Sequence, residues 1–411
     1  MPRSSDEYLV SIDLGSFTTR AAVGCWRADG EVVLEGYGET PTRGVSKGII
    51  VEPAAAAESI KKAAEEAATL ARVRVCSVLA AVGTPFARSF NSRGCIAVEH
   101  EDKLVRGGDA LHALTAANRV SLPADRTLAE VYSQGFATDD VRGVPNPVGM
   151  SCGRLEAEVH VVSDSLAAHA NVRQAVKKAG YHLEHIVFGP LVAAEAVLTP
   201  EERRLGGVHV DVGAAKTSVA VYVAGYPRYS RVLPIGSQHI TNDLAIGLNT
   251  TVADAEGIKQ AYGLTDAHRP RPGDPMPKVD VPAAEGGQPQ SIPLWRVGTI
   301  VRARVEEIFE MVGKELDRSG FAAAAGGRVV LTGGFFRLHG ALTAAHRALR
   351  RPVRLGRVEM KTILHPFEVQ PAHAVVLGAL GRGMQFREQK LDHRFEEKGL
   401  RTLFRRVAGW L

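Results

Sequence analysis

Two aspartates, Asp13 and Asp211, each precede a glycine by two positions, and each closes an apolar run. A carboxylate at the end of a strand, followed by a tight turn of small residues, puts an acid beside a row of backbone N–H groups, and such a row is a concave anion site. The second copy is VHVDVGAAKTSVAVYV, Val208 to Val223, with Gly213 and Ala214 in the turn. The first is YLVSIDLGSFTTRAAVG, Tyr8 to Gly24, in which Gly15 matches Gly213. One such turn alone reads as a structural hairpin, because turns use Asp and Gly everywhere. Two, about half a chain apart and each between strands, imply two related halves closing on one phosphate chain.

Two further groups could complete a nucleotide site. Leu331-Thr332-Gly333-Gly334 ends an apolar run, and glycines at such a turn let backbone approach a flat ligand closely. Glu256 and Lys259 have the three-residue spacing that puts both on one helix face. There the carboxylate can accept from ribose hydroxyls with the lysine beside the purine, or the two form a surface ion pair of little energetic worth.

These turns need elements to hold them. The patterning predicts strands over 8–24 and 32–37, an Ala-rich helix over 53–73 and a strand over 75–82. Residues 84–162 change character: three short strands flank a helix from Lys103 to Arg119, interrupted by VRGVPNPVGMSCG. Ser163 is expected to cap a helix ending at Gly180, with a strand over 183–187 and a short helix over 189–198 following. Beyond the second hairpin come a strand at 229–235, helices over 236–248 and 252–262, a polar hairpin and loop over 263–293, and a long amphipathic helix from Leu294 to Ser319. A strand over 328–334 follows. Residues 382–398, dense in charge, read as a linker.

The chain has 411 residues, 45% hydrophobic and 23% charged, with a net charge of +5. These values suit a soluble globular protein of several domains. The charge is too small to argue for nucleic acid, which is not expected as a partner. Cys25, Cys76, Cys95 and Cys152 have neither metal-ligand nor disulfide-scaffold spacing, so free thiols in a reducing cytoplasm are expected. His182 and His185 fall in a loop and strand, which argues against a metal site, and no Ser/His/Asp or Cys/His grouping suggests a catalytic residue. No apolar run reaches the roughly 20 residues of a spanning helix, so any membrane contact should be peripheral.

The last stretch offers such a contact. On a helical wheel of Gly399 to Leu411, Leu400, Leu403, Phe404, Val407, Trp410 and Leu411 share about a third of the circumference, while Arg401, Arg405 and Arg406 lie elsewhere. A basic helix with aromatic residues on its apolar side suits the headgroup region, with the arginines favouring an anionic lipid surface. The alternative is a helix docked on its own protein.

In this order and spacing the parts resemble the actin-like ATPase superfamily, and within it the FtsA family of bacterial cell-division proteins. The resemblance rests on SIDLGS, TRGVSKGII, NPVGMSCGRLEAEVHVV, VLTPEERRLGGVHVDVG and VLTGGFFRLHGA, and runs from about residue 8 to the last. It implies an α/β, two-lobed ATPase fold of the actin and heat-shock-chaperone type, with an FtsA-type 1C subdomain at 84–162. Subdomain 1A would comprise 8–83 with 163–196 and 363–383, 2A would comprise 197–240 with 320–362, and 2B would be 241–319. A linker at 384–398 would lead to the membrane-targeting helix at 399–411.

The implied ligands are ATP and Mg²⁺. Asp13 and Asp211 would hold the metal through water, as magnesium keeps most of its waters. Gly15, Ser16, Gly213, Ala214, Lys216 and Thr217 would surround the phosphates. Glu256, Lys259, Gly333, Gly334 and Phe335 would surround the nucleoside. Arg304 and Glu307 match the family's Arg-x-x-Glu and would bind the C-terminal peptide of FtsZ; otherwise they form a solvated pair.

The chain departs from the family in specific places. The second motif usually reads D-x-G-G-G-T-x-D, but here Ala214, Ala215, Lys216 and Ser218 replace its last glycines, threonine and aspartate. A positive φ at Ala215 would cost about 1–2 kcal/mol. Thr18 stands where the first motif usually has lysine, so Lys216 either supplies that cation from the second hairpin or points to solvent. Phe335 either stacks on the base or blocks it. ATP binding is therefore expected, with weak hydrolysis at most. The implied role is a filament-forming scaffold on the cytoplasmic side of the inner membrane at the division septum. It would tether FtsZ filaments and recruit later division proteins through 84–162. A PilM-like pilus-assembly adaptor and an actin-fold ATPase enzyme, such as a chaperone or sugar kinase, are the alternatives.

Overall fold

The computed structural model describes residues 8–26, 32–264, 276–284, 288–364 and 366–395. The membrane helix expected at 399–411 lies outside them.

Two sheets repeat one plan. In the first, Tyr8–Leu14, Thr18–Trp26 and Val32–Pro41 form an antiparallel meander, and Ser77–Val82 and His182–Phe188 continue from Tyr8–Leu14 in parallel. In the second, Gly207–Val212, Thr217–Val223 and Tyr226–Leu233 form the meander, with Val329–Thr332 and Val353–Leu355 in parallel. Each Asp-x-Gly turn therefore joins a central strand to its hairpin partner.

The first sheet is buried on both faces, as its nearly continuous apolar strands require. Val10, Ile12, Ala21 and Val23 pack with the helices Pro53–Ala71 and Leu166–Lys178. Leu9, Ala22 and Leu34 point the other way, toward Gly189–Val197 and the C-terminal helix Ala374–Phe395. Alanines on Pro53–Ala71 allow close approach: a Cβ at Gly38 would fall 2.1 Å from the Ala63 carbonyl oxygen. In the second lobe, the 25-residue helix Leu294–Arg318 buries Val297, Val301, Val305, Ile308 and Val312 completely. That three- and four-residue spacing is one helix stripe.

Between Ser77–Val82 and Leu166–Lys178 sits the inserted module. Its sheet runs Arg88–Ala97, Arg154–Ser165, Arg126–Ala137, Arg142–Val144, and the helix Gly107–Ala117 covers it. The module also seats on the second lobe. Ser89 Oγ donates to the Ser230 carbonyl at 2.8 Å, Asn91 Nδ2 donates to that of Arg228 at 3.0 Å, and buried His160 lies between Asn91 and Ser230.

Three elements differ from the sequence expectation. The module's helix begins at Gly107, because Lys103 takes a left-handed φ of 53° and Leu104 bridges to Ser151. The helix expected from Ser163 begins at Leu166: Ser163 and Asp164 stay in the strand, where buried Asp164 accepts from Thr84 Oγ1 at 2.5 Å, and Ser165 provides the cap. The charged stretch from 382 continues as helix to Phe395. Its start is packed: Met384 is buried, Arg382 lies 3.4 Å from Glu130 of the module, and Arg387 donates to Glu184 at 2.7 Å.

Candidate functional site

Antiparallel register fixes the two aspartates. Asp13 lies opposite Arg20, and Asp211 opposite Ser218, so each acid leaves its sheet on the same face as its partner. Both carboxyls line one cavity of about 400 Å³, walled by the two lobes. Every residue predicted to bind nucleotide lines it except Thr217. That side chain has the opposite strand parity: it is fully buried, and its Oγ1 donates to the Ile235 carbonyl at 2.8 Å. Its predicted contact with phosphate is thus corrected to a structural one.

The turns are closed from within. Gly213 N–H donates to the Lys216 carbonyl at 2.9 Å, and a Cβ on Gly15 would lie 2.5 Å from the Thr18 carbonyl oxygen. The second turn also docks onto the helix Ser237–Leu248, whose Ser237 and Gln238 N–H groups donate to the carbonyls of Gly213 and Ala214 at 2.9 and 2.7 Å. Neither Ala214 nor Ala215 takes a positive φ, so replacing glycine there costs no backbone strain. In the first turn, the Ser16 hydroxyl is buried at the cavity wall without a hydrogen-bond partner among the described residues. A buried hydroxyl normally has a partner, and here the cavity is where a ligand would supply one.

The cavity is charged on all sides. Burial pushes the Asp13 carboxyl up, against the opposing pull of Arg20 and then Lys216. Burial likewise raises Asp211, against its 2.7 Å hydrogen bond from Thr332 Oγ1 and the charge of Lys216. Lys216 does not point to solvent; its Nζ donates to the Gly83 carbonyl of the first lobe at 2.6 Å. Two hard carboxylates, one per lobe, suit a cation that keeps its waters and takes its other ligands from phosphate. Among the described residues, no cluster of three or more metal-ligating side chains exists.

On the nucleoside side, Glu256 and Lys259 pair at 2.6 Å in the cavity wall, with Thr241 Oγ1 donating to the same carboxylate oxygen at 2.6 Å. Burial opposes ionisation of Glu256, but the hydrogen bonds from Lys259 and Thr241 outweigh it and hold the carboxyl below its usual range. Gly333 takes a φ of 102°, and a Cβ there would sit 2.2 Å from the Val212 carbonyl oxygen, so only glycine fits. The buried Phe335 ring stands edge-on to Phe309 at 6.0 Å, which anchors it in the second lobe's core while it lines the cavity.

Sequence reading missed Arg20, Glu39, Gln260 and Arg337, which also line the cavity. The available signal for Arg20 was a lone long cation in an apolar hairpin strand. Arg304 lies elsewhere, on the second lobe. It forks onto Asp243 at 2.6 and 2.9 Å and reaches Glu307 at 2.5 Å, tying Leu294–Arg318 to Ser237–Leu248.

A family model described as cell division protein FtsA matches residues 208–378, and one described as the SHS2 domain inserted in FtsA matches residues 87–163. The chain is similar to the cell division protein FtsA of Pseudomonas aeruginosa, 33% identical over 381 residues covering 93% of this chain and 90% of that protein. The FtsA of Neisseria meningitidis is 30% identical over 350 residues, covering 85% and 83%. Among solved structures, the fold is similar to that in a PilM–PilN type IV pilus biogenesis complex, with a TM-score of 0.66 and 18% identity over 92% of this chain and 98% of that one. MreB5 of Spiroplasma citri bound to AMPPNP gives a TM-score of 0.53 at 13% identity, covering 96% and 99%. The fold is therefore actin-like.

Proposed function

The chain belongs to the FtsA family of cell-division proteins, and on that premise we propose that it is an ATP-binding, self-assembling scaffold. It tethers FtsZ filaments to the cytoplasmic face of the inner membrane at the septum. The observation that carries the nucleotide reading is the pair of Asp-x-Gly turns, one per lobe, facing one cavity with the Ser16 hydroxyl at its wall, unpartnered among the described residues. The binding of AMPPNP by MreB5, a protein of similar fold, supports the choice of ligand.

In this reading, backbone N–H groups of Gly15, Ser16 and Ala214 hold the phosphates, and Gly213, whose N–H closes the turn onto Lys216, lets the backbone come close to them. Asp13 and Asp211 would hold Mg²⁺ through water, and the bound ion would offset phosphate charge. Glu256 accepts from the ribose, and Gly333 and Gly334 leave room for the purine. Ser218 provides no carboxylate opposite Asp211, so nucleotide acts as a structural ligand and switch more than as fuel. Arg304 and Glu307 receive the FtsZ C-terminal peptide, the 84–162 module recruits later division proteins, and the helix 399–411 holds anionic lipid. One short helix binds reversibly, and many on a filament bind with far greater avidity.

Liposome co-sedimentation, with and without ATP, tests the tether on the full chain and on one ending at Lys398. The full chain should pellet with anionic vesicles, more so with ATP, and the shortened chain should stay in the supernatant. Equal pelleting of both would remove 399–411 from the account.

A further inference from the structure

The strand Thr18–Trp26 carries one long cation in a run of small and apolar residues. Arg20 is opposite Asp13 in the hairpin register, so its side chain shares the face that lines the cavity. Thr18 lies two residues earlier and on the same face, where it presents only a short hydroxyl. A guanidinium set one strand pair deeper can reach the space above Thr18 because its side chain is longer.

The Arg20 side chain is only 11% exposed. Its Nε donates to Glu39 at 3.2 Å, which fixes one end. Its Nη1 lies 3.9 Å from Asp13, beyond hydrogen-bond distance, so that contact is held by charge alone. From the other lobe Lys216 brings a second cation to the same cavity, where its Nζ donates to the Gly83 carbonyl. An arginine that served only to brace the sheet would be expected to fork tightly onto its carboxylate, as Arg304 does onto Asp243. Arg20 is instead anchored on the side of Glu39 and Tyr37, and its Nη1 makes no hydrogen bond with Asp13.

We propose that Arg20 is a phosphate-binding residue: its Nη edge turns from Asp13 to the nucleotide's phosphate oxygens, while Glu39 keeps the Nε end in place. This rests on the nucleotide reading above and adds to it a cation from the first lobe. Arg20 and Lys216 then clasp the phosphates from opposite sides.

Isothermal titration of ATP and of adenosine into the full-length wild type, R20A, R20K and R20Q decides it, with melting curves as a folding control. In R20A, ATP affinity should fall about tenfold or more while adenosine affinity stays within about threefold, and R20K should recover part of the loss. Should R20A fail to fold, R20Q carries the same comparison. Equal losses for ATP and adenosine, or no loss for ATP, would overturn the role of Arg20 and leave the nucleotide reading standing. A wild type that binds neither ligand would overturn both.

Discussion

Lys216, on the hairpin of the second lobe, donates to the carbonyl of Gly83 in the first, at 2.6 Å. This contact crosses the cleft beside the two aspartates, so the ammonium has two competing uses: to hold the lobes together or to meet phosphate. Lys216→Ala should lower ATP affinity about tenfold, the usual scale for one charge-assisted contact. Without nucleotide it should also speed hydrogen exchange around 81–84. Unchanged ATP affinity by calorimetry would restrict Lys216 to the cross-lobe contact.

Arg382 joins the C-terminal helix to the inserted module through Glu130, and both are buried. Burial raises the carboxyls of Glu130 and Glu195, and the Arg382 charge restrains both shifts. Removing the cation leaves buried acids uncompensated, so Arg382→Met should cost about 3–5 kcal/mol in urea unfolding. The pH dependence has a definite sign. An acid whose folded pKa lies above its unfolded value contributes stability that is lost as pH rises from the ordinary carboxyl range through the raised value. The variant's deficit against wild type should therefore shrink as pH is lowered toward that range. A deficit independent of pH between 5 and 8 would count against this pairing.

Arg304 is the candidate contact for a partner peptide, although Asp243 already holds its guanidinium. Arg304→Glu places a third acid beside Asp243 and Glu307. It should abolish binding of a labelled FtsZ C-terminal peptide in fluorescence anisotropy, with melting curves confirming that the variant is folded despite losing the fork onto Asp243. Normal peptide binding would remove Arg304 from the interface.

Much of this was legible in the sequence because it is local. The apolar runs of Tyr8–Leu14 and Gly207–Val212 and the glycines at their ends define both hairpins, and the spacing of Glu256 and Lys259 gives their pairing. What escaped depends on distant partners or on strand parity. Ser163 looks like a helix cap until Thr84 claims the adjacent Asp164. The stretch from 382 looks like a linker until Glu130 and the core around Leu9 receive Arg382 and Met384. Thr217 sits next to a cavity-lining residue, yet its strand parity turns it into the core. Arg20 is meaningful only once Asp13 is opposite it and Glu39 beside it.

The most direct measurement is a crystal structure of the full chain grown with Mg²⁺ and a non-hydrolysable ATP analogue. The phosphates should lie between the Gly15–Ser16 and Gly213–Ala214 turns, with the purine beside Glu256 and Gly333. An analogue bound outside the cleft, or a cleft closed by Phe335 and Lys216 at saturating nucleotide, would contradict the account.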